Sequence, residues 1–171
     1  MSEQNNVNAY SKIKMKLNET LSGGRLKDAL NFVDYLHESG RTCELNENHP
    51  SAVFKLADEY SCLVMYQECN DNPMGIWFIL CWRNNRDVYE HESYSIDNNL
   101  KEFAQNNIKN CFDCGGCRSH GGEPTRRSIF GIEYDNVCND VFHFYSPEGE
   151  NLQNVIKLME LQKCIIADDN A

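Results

Sequence analysis

Apolar residues along this chain change their spacing near Gly40, and that change divides the sequence into helical and extended stretches. From Asn8 to Leu21 the apolar positions Tyr10, Ile13 and Leu17 fall on one helical face, with Met15 and Leu21 nearby. Gly23-Gly24 interrupts this face. Leu26, Ala29, Leu30, Val33, Leu36 and His37 then form a clearer stripe at helical spacing, and Gly40 sits where a C-terminal cap belongs.

Beyond Gly40 the spacing shortens. Thr42 to Leu45 and Ala52 to Ala57 read as short strands around a turn at Asn46 to Pro50. Tyr60 to Glu68 is rich in aromatic and branched residues, and Asn70-Asp71-Asn72-Pro73 is a strong turn signal, so an antiparallel hairpin is predicted there. Gly75 to Trp82 follows as the longest strongly apolar run. It is apolar on both faces, which predicts a central strand covered on both sides. Asp97 is placed to cap a helix from Asn98 to about Asn110, with Leu100, Phe103, Ala104 and Ile108 inward. Ser128 to Val137 reads as strand or hairpin around Gly131. Ser146-Pro147-Glu148 opens a last helix, whose buried face is Leu152, Val155, Ile156 and Met159. Residues 167–171 are a polar tail.

Helices, a run of strands, one helix, a cysteine segment and a last helix together predict an α+β fold. The expected architecture is an antiparallel sheet with helices packed on one face and a cysteine-rich metal knuckle between the last two helices. One domain covers 1–171: a helix-plus-sheet core at 24–110, the knuckle at 111–138 and the C-terminal helix at 146–166. The core is expected to draw on Leu26, Leu30, Val33, Val64, Ile76, Phe78, Leu80 and Val155.

The composition changes the picture in two respects. The 171 residues carry a formal charge of −10, which disfavours nucleic acid and anionic membrane surfaces as partners. No signal peptide is visible at the N-terminus, and no apolar run approaches the ~20 residues of a spanning helix. A cytoplasmic location is therefore expected, and the nine cysteines read as thiols or metal ligands instead of a disulfide framework.

The cysteines concentrate at Cys111-Phe-Asp-Cys114-Gly-Gly-Cys117. Two cysteines separated by two residues can turn both sulfurs toward one point, and Gly115 and Gly116 permit the tight curl this needs. Zinc takes four ligands, so a fourth must come from elsewhere. Cys138 ranks ahead of His120 because it ties the knuckle to a distant segment. Four basic residues between 109 and 127 (Lys109, Arg118, Arg126 and Arg127) outnumber the acidic Asp113 and Glu123, which suits a zinc–thiolate centre of formal charge −2. Arg118, Arg126 and Arg127 are also candidates to contact an anion. An iron–sulfur cluster is the alternative cofactor, although the ferredoxin run has a different fourth spacing. Three reduced thiols on a glycine-rich loop is the plain alternative.

Cys-x-x-Cys-Gly-x-Cys, followed by Ile129-Phe130-Gly131-Ile132-Glu133-Tyr134 and Cys138, resembles a set of short bacterial proteins, mostly from Gram-positive species. The resemblance covers roughly residues 24–166, and its distinctive motif covers 111–138. It implies a similar order of elements and adds nothing about mechanism. Those proteins often carry a lysine after the glycine, where this chain has Ile132.

Other candidates are weaker. His91 lies between Glu90 and Glu92 in a polar segment, and His143 and His37 fall on apolar faces where a buried structural histidine is the simpler reading. Tyr66, Trp77 and Trp82, with Phe54 and Tyr60, are candidates to line an aromatic cleft for a small ligand or peptide. Cys69 and Cys81 have no adjacent base that would make either a nucleophile. No phosphate loop, Gly-x-Ser-x-Gly or His-Glu-x-x-His occurs. These observations predict a non-catalytic, zinc-stabilised binding or sensing module. A thiol-based redox sensor or an enzyme acting at the cysteine cluster is the second reading.

Overall fold

Two helices open the chain, and the sharp junction between them fixes where they meet the sheet. In the computed structural model, which describes residues 3–82, 96–111 and 125–169, α1 spans Glu3–Thr20 and α2 spans Gly23–Glu38. The Ser22 N–H donates to Met74 O at 3.2 Å and Arg25 Nη1 donates to Gly75 O at 2.7 Å. Gly75 has φ +69°, and a Cβ there would lie 2.4 Å from Thr20 O. Only glycine lets the α1 C-terminus rest against this strand.

The strands are β1 (Thr42–Asn46), β2 (Ser51–Leu56), β3 (Glu59–Cys69), β4 (Asn72–Cys81), β5 (Ile108–Asn110), β6 (Thr125–Ile129) and β7 (Ile132–Tyr145). They form one antiparallel sheet in the order β1-β2-β3-β4-β7-β5, with β6 also paired to β7. The remaining helices are α3 (Asn98–Gln105) and α4 (Gly149–Asp169). The α+β class with an antiparallel sheet and four helices is thus as expected.

One face of the sheet carries the helices. Phe32 of α2 packs on Trp77, Tyr10 of α1 on Phe54 and Phe103 of α3 on Phe144. Cys62, Val64 and Tyr66 of β3 register with Cys81, Ile79 and Trp77 of β4, and all six are buried on this face. The bulge at Phe54–Lys55 leaves Ser61 as an extra residue between Cys62 and Tyr60, so Ser61 also turns toward the helices. Its hydroxyl donates to Gln162 Oε1 of α4 at 2.7 Å.

Ser61 also accepts from Arg41, which is 1% exposed. Arg41 Nε donates to Ser61 Oγ at 2.8 Å and Nη2 to Met159 O at 2.7 Å, while Nη1 donates to Ser39 Oγ. The guanidinium lies 5.5 Å from the centre of the Tyr35 ring, and the Tyr35 hydroxyl donates to Glu160. A buried cation is tolerated when its donors are occupied, and this one ties α2, β3 and α4 together.

Two expectations need correction. Val33, Val64 and Val155 are fully buried as expected, but Ile76, Phe78 and Leu80 are not on the helix-covered face; they point to the other side and are half-buried. Both alternating sets of β4 are apolar, so the pattern had no phase. The α3 helix ends at Gln105, short of Asn110. Asn106 caps it, and Ile108 joins the sheet opposite Phe142 instead of extending the helix.

Candidate metal centre

Strand β7 pairs with both β5 and β6, the strands that precede and follow the cysteine segment in the chain. Its last four residues pair with β4, and its first part pairs with β6 across a two-residue turn at Phe130-Gly131, both with positive φ. On the opposite flank β5 pairs with it, Asn110 facing Val137. Thr125 of β6 also faces Val137. Val137 therefore lies between the residue that precedes Cys111 and the residue at which the chain returns in β6.

Cys111 and Cys138 are held in this place. The Cys111 N–H donates to Asn136 O at 2.7 Å. Asn136 has φ +60°, a conformation that asparagine tolerates better than most residues, and the strand is irregular opposite both neighbours. After this kink Val137 and Cys138 are both buried, although a flat strand would send them to opposite sides. Cys111 is 3% exposed and Cys138 4%. The remaining candidates of the cluster, Cys114, Cys117 and His120, lie outside the described residues, as do Arg118 and the knuckle as a whole. Among the described residues, no group of three or more His, Cys, Asp or Glu is arranged to hold a metal.

The basic residues nearby divide. Arg127 is buried. Arg126 is exposed and its Nε lies 3.1 Å from Glu133 and 3.7 Å from Asp135, so it is already paired with carboxylates, which weakens its reading as an anion contact.

The other sequence candidates are placed apart from this centre. Tyr66, Trp77 and Trp82 are buried; Tyr66 and Trp77 face each other across β3 and β4 under the helices, and Trp82 packs edge-on against Phe142. All three belong to the buried core. His37, expected on an inner face, is exposed and lies 4.3 Å from the Tyr10 ring. Beside it, between α1 and α2, a groove of about 170 Å³ is lined by Tyr10, Ser11, Lys14, Asp34 and His37. It is small for a cofactor, and the ion pair of Lys14 with Asp34 occupies its polar side. His91 lies outside the described residues.

His143 is buried on the side of β7 away from the helices, opposite Leu80. Burial pushes its pKa down to about 4, against the attraction of Asp140, and nearby Lys109 adds to the depression. The ring is therefore neutral at physiological pH, and its Nε2 is without a hydrogen-bond partner. Burial pushes the Cys43 and Cys62 thiols up to about 12 and Cys81 well above its ordinary range. These three thiols are protonated core residues, poor nucleophiles and poor ligands.

The polar cluster around Arg41 went unnoticed in the sequence. Its one local signal is Gln162, a polar residue three positions after Met159 on the apolar stripe of α4. Among the described residues, no helix is long and apolar enough to cross a membrane.

No protein-family model matches this chain, no curated protein matches its sequence and no solved structure matches its fold.

Proposed function

We propose that Cys111, Cys114, Cys117 and Cys138 hold one zinc ion, and that the protein is a non-catalytic, zinc-stabilised binding or sensing module. The observation that supports this most is the register: the cysteine segment leaves the sheet on one flank of Val137 and rejoins it on the other. Cys138 is the next residue. Cys114 and Cys117 follow Cys111 by three and six residues, so the chain allows them at most about 10 and 20 Å from it. Four thiolates complete a tetrahedral shell with no open position, the arrangement of a structural zinc and not of a catalytic one. Closing β5, β6 and β7 around one ion would turn its binding energy into stability of that edge of the sheet.

Anaerobically purified protein should contain about one zinc per chain. Cys138→Ser should abolish metal retention, whereas His120→Ala should leave it near the wild-type level. A brown protein with iron and labile sulfide would replace zinc with a cluster. Metal-free protein with four reactive thiols would overturn the reading altogether. Hydrogen exchange with and without chelator should show loosening in β5, β6 and the first half of β7 while α2 stays protected. Rapid, reversible oxidation of these cysteines by dilute peroxide would favour a redox sensor instead.

A further inference from the structure

Two cysteines outside the proposed metal set face each other across neighbouring strands. Cys62 of β3 registers with Cys81 of β4, and both are fully buried under the helices. Cys43 of β1 is equally buried but registers with Phe54.

The neighbouring backbone fixes which kind of cross-strand pair Cys62 and Cys81 form. The Tyr66 N–H donates to Pro50 O at 3.0 Å, on the β2 side of β3. The Ser146 N–H donates to Trp77 O at 2.7 Å, on the β7 side of β4. Backbone groups alternate sides from one residue to the next along a strand. The register is unbroken from Cys62 to Tyr66 and from Trp77 to Cys81. Cys62 therefore turns its N–H and C=O toward β2, and Cys81 turns its own toward β7. This is the non-hydrogen-bonded position of an antiparallel ladder, where opposed Cα atoms lie about 4.5 Å apart and side chains are closest. A disulfide needs Cα atoms roughly 4.4–6.8 Å apart, so the two strands already hold these sulfurs within bonding reach.

The closed fold protects the pair. Thiol–disulfide exchange requires a thiolate, and burial keeps both thiols protonated. Neither sulfur is open to an oxidant while the helices cover this face.

We propose that Cys62 and Cys81 are a gated redox pair, which a small-molecule disulfide such as oxidised glutathione joins as a cross-strand disulfide when the helices lift from the sheet. One cysteine thiolate attacks the small disulfide, forming a mixed disulfide and releasing the first small thiol. The other cysteine thiolate attacks the protein sulfur of that mixed disulfide and releases the second. The protein loses two electrons and two protons, and the two small thiols carry them away. The new bond then pins the β3–β4 register through any further opening. None of this uses Cys111, Cys114, Cys117 or Cys138, so the proposal stands or falls apart from the metal.

The test incubates the full chain with a mixture of oxidised and reduced glutathione, in buffer and at the urea midpoint, so that links can rearrange. Free thiols are then alkylated and disulfides are mapped by mass spectrometry. Cleavage at Glu68 and Asp71 places Cys62, Cys69 and Cys81 on separate peptides. The Cys62–Cys81 link should form roughly tenfold faster at the midpoint than in buffer. It should also exceed the Cys62–Cys69 link roughly fivefold, although without strand register the shorter loop to Cys69 closes more readily. A dominant Cys62–Cys69 link, equal rates in the two conditions, or lasting glutathione adducts on Cys62 or Cys81 would overturn the proposal. Returned to buffer, the oxidised protein should show a urea midpoint about 1 M above that of the reduced protein. Cys81→Ala should lose this rise and Cys43→Ala should keep it. A midpoint that fails to rise in the unsubstituted chain would show that the bond strains the strands, against the geometry argued from the register. Mapping in the unsubstituted chain decides the pairing even if a variant does not fold.

Discussion

Replacing Arg41 tests whether a buried, hydrogen-bonded cation holds the helices to the sheet. Arg41→Met keeps similar bulk and removes the charge. It leaves Ser61 Oγ and Met159 O without the donors that now reach them at 2.8 and 2.7 Å. Ser61 Oγ keeps its bond to Gln162 and Met159 O its helical donor, so the loss is that of hydrogen bonds to a charged group, about 1.5–3 kcal/mol, and the stack on Tyr35 adds about 1 kcal/mol. Relief of the guanidinium's own desolvation offsets part of this, so a net loss of about 2–4 kcal/mol is expected. Arg41→Lys should be no better. An ammonium is more strongly hydrated and has no planar fork to serve Ser61, Ser39 and Met159 together. Urea unfolding followed by circular dichroism is the assay. With m of about 2 kcal/mol/M, the midpoint should fall by about 1–2 M at unchanged slope. If the methionine variant lies within 0.25 M of wild type, or the lysine variant retains full stability, the network does not bear the role assigned to it.

Other consequences can be checked in the same way. Gly75→Ala should destabilise by about 2–4 kcal/mol, since it combines a left-handed backbone with a clash against Thr20 O, and the melting temperature reads this directly. Ala57→Asn should raise the melting temperature by about 1–4 °C, because Ala57 and Asp58 both have positive φ in an exposed two-residue hairpin turn that favours asparagine first. His143, lowered to about 4 in the folded protein, contributes stability that is complete above the ordinary pKa near 6.5 and is lost as pH falls toward 4. The loss approaches about 3 kcal/mol, and His143→Phe should flatten the stability profile over that window.

Local signals were legible and pairings were not. Asp97 was recognisable as a cap, and its carboxylate accepts from the Leu100 N–H at 2.8 Å. Ile108 fits helical spacing from Ala104 equally well, and only its place opposite Phe142 makes it a strand residue. The strand after Val137 was missed because Phe142-His143-Phe144, apolar and without turn signals, fits a buried segment of either kind. In β4 the central position was readable, but which side met the helices depended on where α2 and β7 dock. At the candidate centre the cysteine spacing was explicit, but the described residues include only Cys111, which meets the kink before Cys138, and Cys138 itself. The Arg41 cluster had no comparable local mark, because its partners lie 20 and 118 residues away.

That last separation has a consequence during synthesis. Arg41 leaves the ribosome long before Met159, and at 5–20 residues per second the interval is about 6–24 s. Through that time its guanidinium has no α4 carbonyl to meet and stays hydrated, which holds the junction of α2 and β3 open. The early strands can pair, but their helix-facing side cannot dry until the last helix arrives. A nascent chain of this protein therefore exposes that side of the sheet to holdase chaperones for the whole interval, and the emergence of α4 is the event that lets the core close.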